Sequence, residues 1–219
     1  MAELLVIRHA QASFGAGDAG SYDRLSDLGH KQAEVAGRAL RETGWVPDRL
    51  ITGTLARQKQ TLRSMGFEAE PETHPGWNEY DFHDLLNARF GGAVPDPVRA
   101  DRKTHFRTLR ETILDWQAGG IAAARESWAE FTARVEAARA FATAEPVERV
   151  LVVSSGGAIG QLVAASLGAP PKQMIALNLQ VKNTSITRFI FSGSRFFLHE
   201  FNTTPHFAPP EVADLLTYS

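Results

Sequence analysis

Arg8 and His9 stand side by side directly after the apolar run Leu4-Leu5-Val6-Ile7. A guanidinium beside an imidazole offers a forked clamp for phosphoryl oxygens and a nitrogen nucleophile at consecutive positions. The dipeptide alone is common; its place after a strand-like run gives it weight. A short apolar run of this kind reads as a buried, parallel strand. Open α/β sheets place their ligands at the carboxyl ends of such strands, where Arg8 and His9 emerge.

The elements that must position this pair follow from the pattern. Residues 10–24 carry Gly15, Gly17, Gly20 and two aspartates and read as a loop. Leu25-Ser26-Asp27-Leu28-Gly29 starts a helix with Ser26 as N-cap, Ala33, Ala36 and Leu40 on its apolar face, and Gly44 as its stop. Arg49–Thr52 is a second strand, and Thr54 is placed to cap a helix running to about Met65. Glu72 to His74 reads as a brief third strand, before Pro75-Gly76-Trp77 breaks the chain. Residues 79–120 are mostly helical in pattern, interrupted by Gly91-Gly92 and Pro95-Asp96-Pro97.

Arg125 to Ala144 is expected as a long amphipathic helix carrying Trp128, Phe131, Val135, Ala138 and Phe141. Arg149–Val153 is the clearest strand, and a helix follows from Gly157 to Leu167. Thr184 to Phe191 and Arg195 to Phe201 form a hairpin about Ser192-Gly193-Ser194, and the last dozen residues read as a surface tail. Strands alternating with helices predict a three-layer α/β/α fold with a mainly parallel central sheet. The strand ends at Arg8-His9, Thr52-Gly53 and Ser154-Ser155 then converge on one crevice.

At 219 residues, 43% hydrophobic and 22% charged, the chain fits one soluble domain, 1–219, with a helical insertion at about 80–125 over one end of the sheet. A formal net charge of −2 gives no global attraction to nucleic acid or anionic membranes. The absence of cysteine removes disulfides, thiolate metal sites and cysteine nucleophiles, and fits a cytoplasmic location. The short apolar run before Arg8 is not expected to act as a signal peptide. The uncharged stretch from Val150 to Pro171 is long enough for a membrane span. Its Ser154-Ser155-Gly156-Gly157, Gln161 and Pro170-Pro171 instead make it a strand, a glycine turn and a buried helix.

Together these pieces resemble the histidine phosphatase superfamily, which includes the cofactor-dependent phosphoglycerate mutases. The strand ending in Arg8-His9 resembles that family's opening motif. Tyr22-Asp23-Arg24-Leu25-Ser26-Asp27-Leu28-Gly29-His30-Lys31-Gln32-Ala33 is similar to its "LS..G..QA" segment. Thr52-Gly53-Thr54-Leu55-Ala56-Arg57-Gln58-Lys59-Gln60-Thr61 resembles the segment with a second phosphate-binding arginine and "QT". Trp77-Asn78-Glu79 resembles the one carrying an acid. The resemblance implies that His9 attacks phosphorus, that Arg8 and Arg57 clamp the phosphoryl oxygens, and that Glu79 protonates the leaving alkoxide. Asp81 is the alternative acid. On its own, Arg57 beside Lys59 and Arg63 reads as a solvated charge. No cofactor and no metal is implied, because the arginines supply the positive charge. His74, His83 and His105 lack metal-ligand spacing, and Trp77, Tyr80 and Phe82 read as core.

The chain departs from the family in two places. The serine-histidine-glycine-glycine motif expected after the last parallel strand reads Ser154-Ser155-Gly156-Gly157, with Ser155 at the histidine's place. Serine donates one neutral hydrogen bond and carries no charge. The loss relative to a charge-assisted bond, about 1–2 kcal/mol, corresponds to roughly one or two decades of rate. Backbone N–H groups of the turn at Gly156-Gly157 can still face an anion. His206 is a candidate replacement for the missing charge. Second, Ala10-Gln11-Ala12-Ser13-Phe14-Gly15 lacks the glutamate, serine and asparagine that mutases carry after their opening motif, which disfavours a mutase. Gln11 orders the loop.

The expectation is a metal-independent phosphomonoester hydrolase acting through phosphohistidine on His9. The phosphate-binding group comprises Arg8, Arg57, Ser155 and Gly156, and the substrate is a phosphorylated small molecule or phosphoprotein. The alternatives are a weak or inactive pseudo-phosphatase that binds a phosphorylated ligand, and a phosphoglycerate mutase. An esterase using Ser154 or Ser155 is disfavoured, since the spacing is not Gly-x-Ser-x-Gly. A homodimer through an edge strand or helix is compatible with the sequence.

Overall fold

In a computed structural model, which describes residues 2–13, 23–95, 102–144, 146–193 and 195–218, the opening run forms β1 (Ala2–Arg8). It is buried from Leu4 onward because it lies inside the sheet. β1 pairs in parallel with β4 (Arg149–Ser154), which pairs in parallel with β2 (Arg49–Thr52) and through it with β3 (Glu72–Thr73). On its other side β1 pairs antiparallel with β5 (Ile186–Ser192), which forms a hairpin with β6 (Arg195–Thr203). The six strands run in the order β3-β2-β4-β1-β5-β6. The sheet is therefore mixed, and mainly parallel as expected.

Alternation along the strands splits the core into two layers. Leu5 and Ile7 of β1, with Leu151 and Val153 of β4, pack on α1 (Asp27–Glu42) and α2 (Ala56–Ser64) through Ala33, Ala36, Leu40 and Leu62. Leu4 and Val6, with Val150 and Val152, face the other way. They meet α5 (Trp128–Ala142), α6 (Gly156–Ser166), and the helical stretch α3 (Phe82–Arg89) and α4 (Arg102–Gln117). Trp116 and Phe131 are fully buried there, each contributing about 2–3 kcal/mol by leaving water. A short helix, α7 (Gln173–Asn178), packs beside α6. At six residues it is too brief for periodicity to single out.

Most expected boundaries hold to within a few residues. Ser26 caps α1 by accepting from Gly29 N at 3.0 Å. α5 begins three residues later than expected because Ser127 and Glu130 form a capping box. The uncharged stretch from Val150 is β4 and α6, and no described helix is long and apolar enough to cross a membrane. The tail lies at the surface, as expected, but is bonded to the body of the domain. Asn183 N donates to Thr217 O at 3.2 Å, and buried Gln32 donates to Leu215 O at 2.6 Å. The glycines at 15, 17 and 20, Phe14, Tyr22 and the turn residue Ser194 lie outside the described residues, as do Asp96 and Pro97.

Candidate active site

The parallel register brings Arg8 beside Ser154, and His9 N donates to Ser154 O at 2.8 Å, one residue past the ladder. His9 thus leaves the sheet at its carboxyl edge between β4 and β5, and is only 3% exposed. Its Nδ1 lies 2.8 Å from Ala10 O, and its Nε2 lies 3.2 Å from Nε of Arg57. A carbonyl only accepts and a guanidinium only donates, so the ring proton is assigned to Nδ1 and the lone pair to Nε2. Burial, then Arg57 and Arg8, hold the imidazole well below its ordinary pKa of 6.5, against a smaller opposing effect of the Ala10 bond. His9 is neutral near pH 7, with its lone pair facing a guanidinium.

Arg57 is held from two sides. Asp23 pairs with its Nη1 at 2.9 Å, and Asp23 Oδ2 accepts from Ala56 N at 2.9 Å. Asp23 therefore satisfies an open N–H of α2 and fixes the guanidinium. The expected cap, Thr54, does neither: Leu55 occupies the N-cap, while Thr54 accepts from Asn78 Nδ2 at 2.7 Å. Arg8 donates from Nη1 to Val181 O. Its guanidinium carbon would lie 3.7 Å from a Cβ placed at Gly156, so the turn lies close against it.

The first turn of α6 faces the carboxyl group of Glu79. Both carboxylate oxygens of Glu79 lie 3.0 Å from Gly157 N. A Cβ at residue 157 would fall 2.1 Å from one of them and 2.4 Å from the ring of buried Tyr80, so the site leaves no room for a side chain there. Arg134 of α5 donates to Asn78 O at 2.9 Å and Glu79 O at 3.3 Å, while its fork is paired with Glu126 at 2.5 and 3.0 Å. Asp81 instead caps α3, accepting from Asp84 N at 3.0 Å. Ser155 is fully buried, and its Oγ accepts from Gln58 Nε2 at 2.9 Å. The same Nε2 donates to Trp77 O at 2.8 Å.

His206 does not replace the missing charge. It sits in a 3₁₀ turn, 4% exposed, with Nε2 at 3.1 Å from Thr184 Oγ1. Burial pushes its pKa down to about 4, so it too is neutral at pH 7. Gln11 Oε1 accepts from Ser26 Oγ at 2.8 Å, while residues 14–22 of the loop it is expected to order lie outside the described residues.

The sequence reading missed the residues that hold this arrangement. Asp23, Gln58, Thr61 and Arg134 each bond a candidate residue or its neighbour. Thr61 Oγ1 accepts from Ala10 N at 3.0 Å, and Gln60 Oε1 accepts from Leu25 N at 2.8 Å. A signal was available for some of them. Polar residues at consecutive and i, i+4 positions of α2, next to Arg57, line the face turned toward the crevice. Arg134 carried no such signal, because its targets are backbone carbonyls more than 50 residues away.

Comparison with known proteins places this chain in a family. The family model "Histidine phosphatase superfamily (branch 1)" matches residues 4–204. The chain is 24% identical over 222 residues to the mitochondrial serine/threonine-protein phosphatase Pgam5 of Drosophila yakuba, covering 95% of this chain and 65% of that protein. It therefore spans less than two thirds of that relative's length. It is also 24% identical over 226 residues to the probable phosphoglycerate mutase GpmB of Yersinia enterocolitica, covering 98% and 99% of the two chains. Among solved structures, a mycobacterial glucosyl-3-phosphoglycerate phosphatase complexed with VO3 superposes with a TM-score of 0.68 at 24% identity, over 93% of this chain and 100% of that one. With the match running from β1 through β6, the chain belongs to the histidine phosphatase superfamily, branch 1.

Proposed function

We propose that the chain is a metal-independent phosphomonoester hydrolase that works through a phosphohistidine on His9. The observation that carries this reading is the His9 ring itself: Nδ1 committed to Ala10 O and Nε2 aimed at Arg57. An imidazole held neutral, with its lone pair presented where a cation can receive an anion, is primed for attack on phosphorus. On substrate binding Arg57 turns its donor from Nε2 to a phosphoryl oxygen, and Arg8 and the turn at Ser155 and Gly156 complete the clamp.

Nε2 then forms a bond to phosphorus as the P–O bond to the leaving group breaks. Glu79 gives its proton to the departing alkoxide. A water attacks the phosphohistidine, Glu79 takes its proton, and the P–N electron pair returns to Nε2. Phosphate leaves. Glu79 is preferred to Asp81 because Asp81 is spent on capping α3, whereas Glu79 reaches the turn beside Arg8. The positive charge is that of two arginines, so no metal enters these steps.

The whole chain, 1–219, is read as one catalytic domain with the helical stretch at 80–125 over the site. The substrate is a phosphorylated small molecule or a phosphorylated protein side chain, the classes named for the phosphatases it resembles. A second reading, binding without turnover, is favoured by one observation: Ser155 supplies no charge, and its oxygen already receives Gln58. Hydrolysis of a generic aryl phosphate in EDTA separates the two. The parent should turn over and carry an acid-labile, base-stable phosphoryl group, and His9→Ala should lose both. Retained phosphate binding with no turnover in the parent would establish the binding reading.

A further inference from the structure

Both peptide planes that follow the candidate nucleophile are held by buried side chains, and one holder of each plane leads to a single hydroxyl. In the plane joining His9 to Ala10, Asn183 Nδ2 donates to His9 O at 3.3 Å and Thr61 Oγ1 accepts from Ala10 N at 3.0 Å. In the plane joining Ala10 to Gln11, Gln32 Oε1 accepts from Gln11 N at 2.9 Å. The carbonyl of that second plane is Ala10 O, which receives the ring proton of His9. The planarity of the peptide bond means that fixing Gln11 N–H also fixes the direction of Ala10 O.

Thr217 joins two of these three holders, Gln32 and Asn183. Its hydroxyl accepts from Gln32 Nε2 at 2.8 Å and donates to Asn183 Oδ1 at 2.9 Å. The directions are settled by the backbone groups at the ends. His9 O can only accept, so the Asn183 amide must turn its nitrogen there and its oxygen to Thr217. Gln11 N can only donate, so Gln32 must turn its oxygen there and its nitrogen to Thr217 and Leu215 O. One hydroxyl serves as acceptor on one side and donor on the other. Gln32 is fully buried and Asn183 2% exposed, so water has little access to substitute for a lost partner.

We infer that Thr217 is a positioning residue for His9: through Asn183 and Gln32, the segment after β6 sets the tautomer and ring direction of the nucleophile. The inference rests on the hydrolase reading for its kinetic consequence but not for its structural one. Valine matches threonine in shape and lacks the hydroxyl, so Thr217→Val leaves Asn183 Oδ1 without its donor and Gln32 with Leu215 O alone. Thr217→Ser keeps the hydroxyl.

The test is ¹⁵N NMR of histidine-labelled full chain, together with steady-state kinetics on an aryl phosphate. In the parent, His9 should show one protonated ring nitrogen, Nδ1, and one bare nitrogen, Nε2. Thr217→Val should average the two patterns and lower kcat about tenfold, with KM changed less than about twofold, since the phosphate clamp is untouched. Thr217→Ser should restore both readouts. Should Thr217→Val fail to fold, Gln32→Met cuts the same circuit at its other end and is read the same way. A variant whose His9 keeps the parent's nitrogen pattern overturns the inference, whatever its turnover. A parent that forms no phosphohistidine overturns the hydrolase reading instead, and leaves the nitrogen pattern to decide this one.

Discussion

A histidine placed between two arginines and cut off from water stays unprotonated, and an unprotonated ring is what a phosphoryl acceptor requires. In the proposed reaction the leaving group's proton must then come from elsewhere, and Glu79 is the carboxyl that meets the Gly156-Gly157 turn. This divides the labour in a way that leaving groups can report. Glu79→Gln should slow phosphohistidine formation from an alkyl phosphate by about a hundredfold or more, since an alkoxide cannot leave unprotonated. The burst of phenol from an aryl phosphate should fall by less than about tenfold, because a phenolate leaves without help. Equal losses on the two substrates would remove Glu79 from the role. In the proposed phosphate clamp Ser155 should restrain the rate, as its hydroxyl offers a neutral bond beside the charged ones proposed for Arg8 and Arg57.

At the scale of elements, the letters of the opening motifs are close approaches and hydrogen bonds between α1, α2 and the loop after β1. Gly29 is the clearest case. A Cβ there would lie 2.2 Å from Gln11 O and 3.2 Å from Gln11 N, both backbone atoms that cannot move aside like the end of a side chain. Alanine is the better helix former by about 1 kcal/mol, so the collision has to outweigh that gain. Gly29→Ala should still destabilise the fold by about 1–3 kcal/mol in urea unfolding. It should also lower kcat, because Gln11 shares a peptide plane with the carbonyl that holds His9. An alanine that leaves the midpoint unchanged would mean that α1 slides freely on the loop. The long Arg134 side chain plays the corresponding part for α5, bracing the Asn78 and Glu79 carbonyls.

For the whole molecule, two buried neutral histidines make stability depend on pH with a defined sign. Both His9 and His206 have folded-state values below 6.5, His206 at about 4. Between those values the unfolded chain binds a proton that the folded chain refuses, so stability is greatest above pH 6.5 and falls on acidification. His206 alone should cost about 2 kcal/mol between pH 7.5 and pH 5. Urea unfolding at the two pH values should show that drop, and His206→Asn should remove about that much of it. A drop of unchanged size in the variant would show that folding leaves the His206 pKa near its ordinary 6.5.

The sequence by itself determined the family and the alternation of strands and helices, and it singled out Arg8, His9, Arg57 and Glu79. These are carried by short-range patterns: an apolar run ending in charge, a helix cap, a helical period, and motif letters at fixed spacing. It could not show that Asp23 holds Arg57, that Arg134 braces Glu79, or that His206 is buried neutral. Each of these depends on which groups, distant in sequence, a side chain meets. The segment after β6 is the sharpest example, since its composition reads as surface while Thr217 bonds two buried amides. Residue types state what chemistry is available. Only the packing of α1, the β1 loop and that last segment decides which nitrogen of His9 is left bare, because the acceptor that fixes its proton is itself held from three remote parts of the chain.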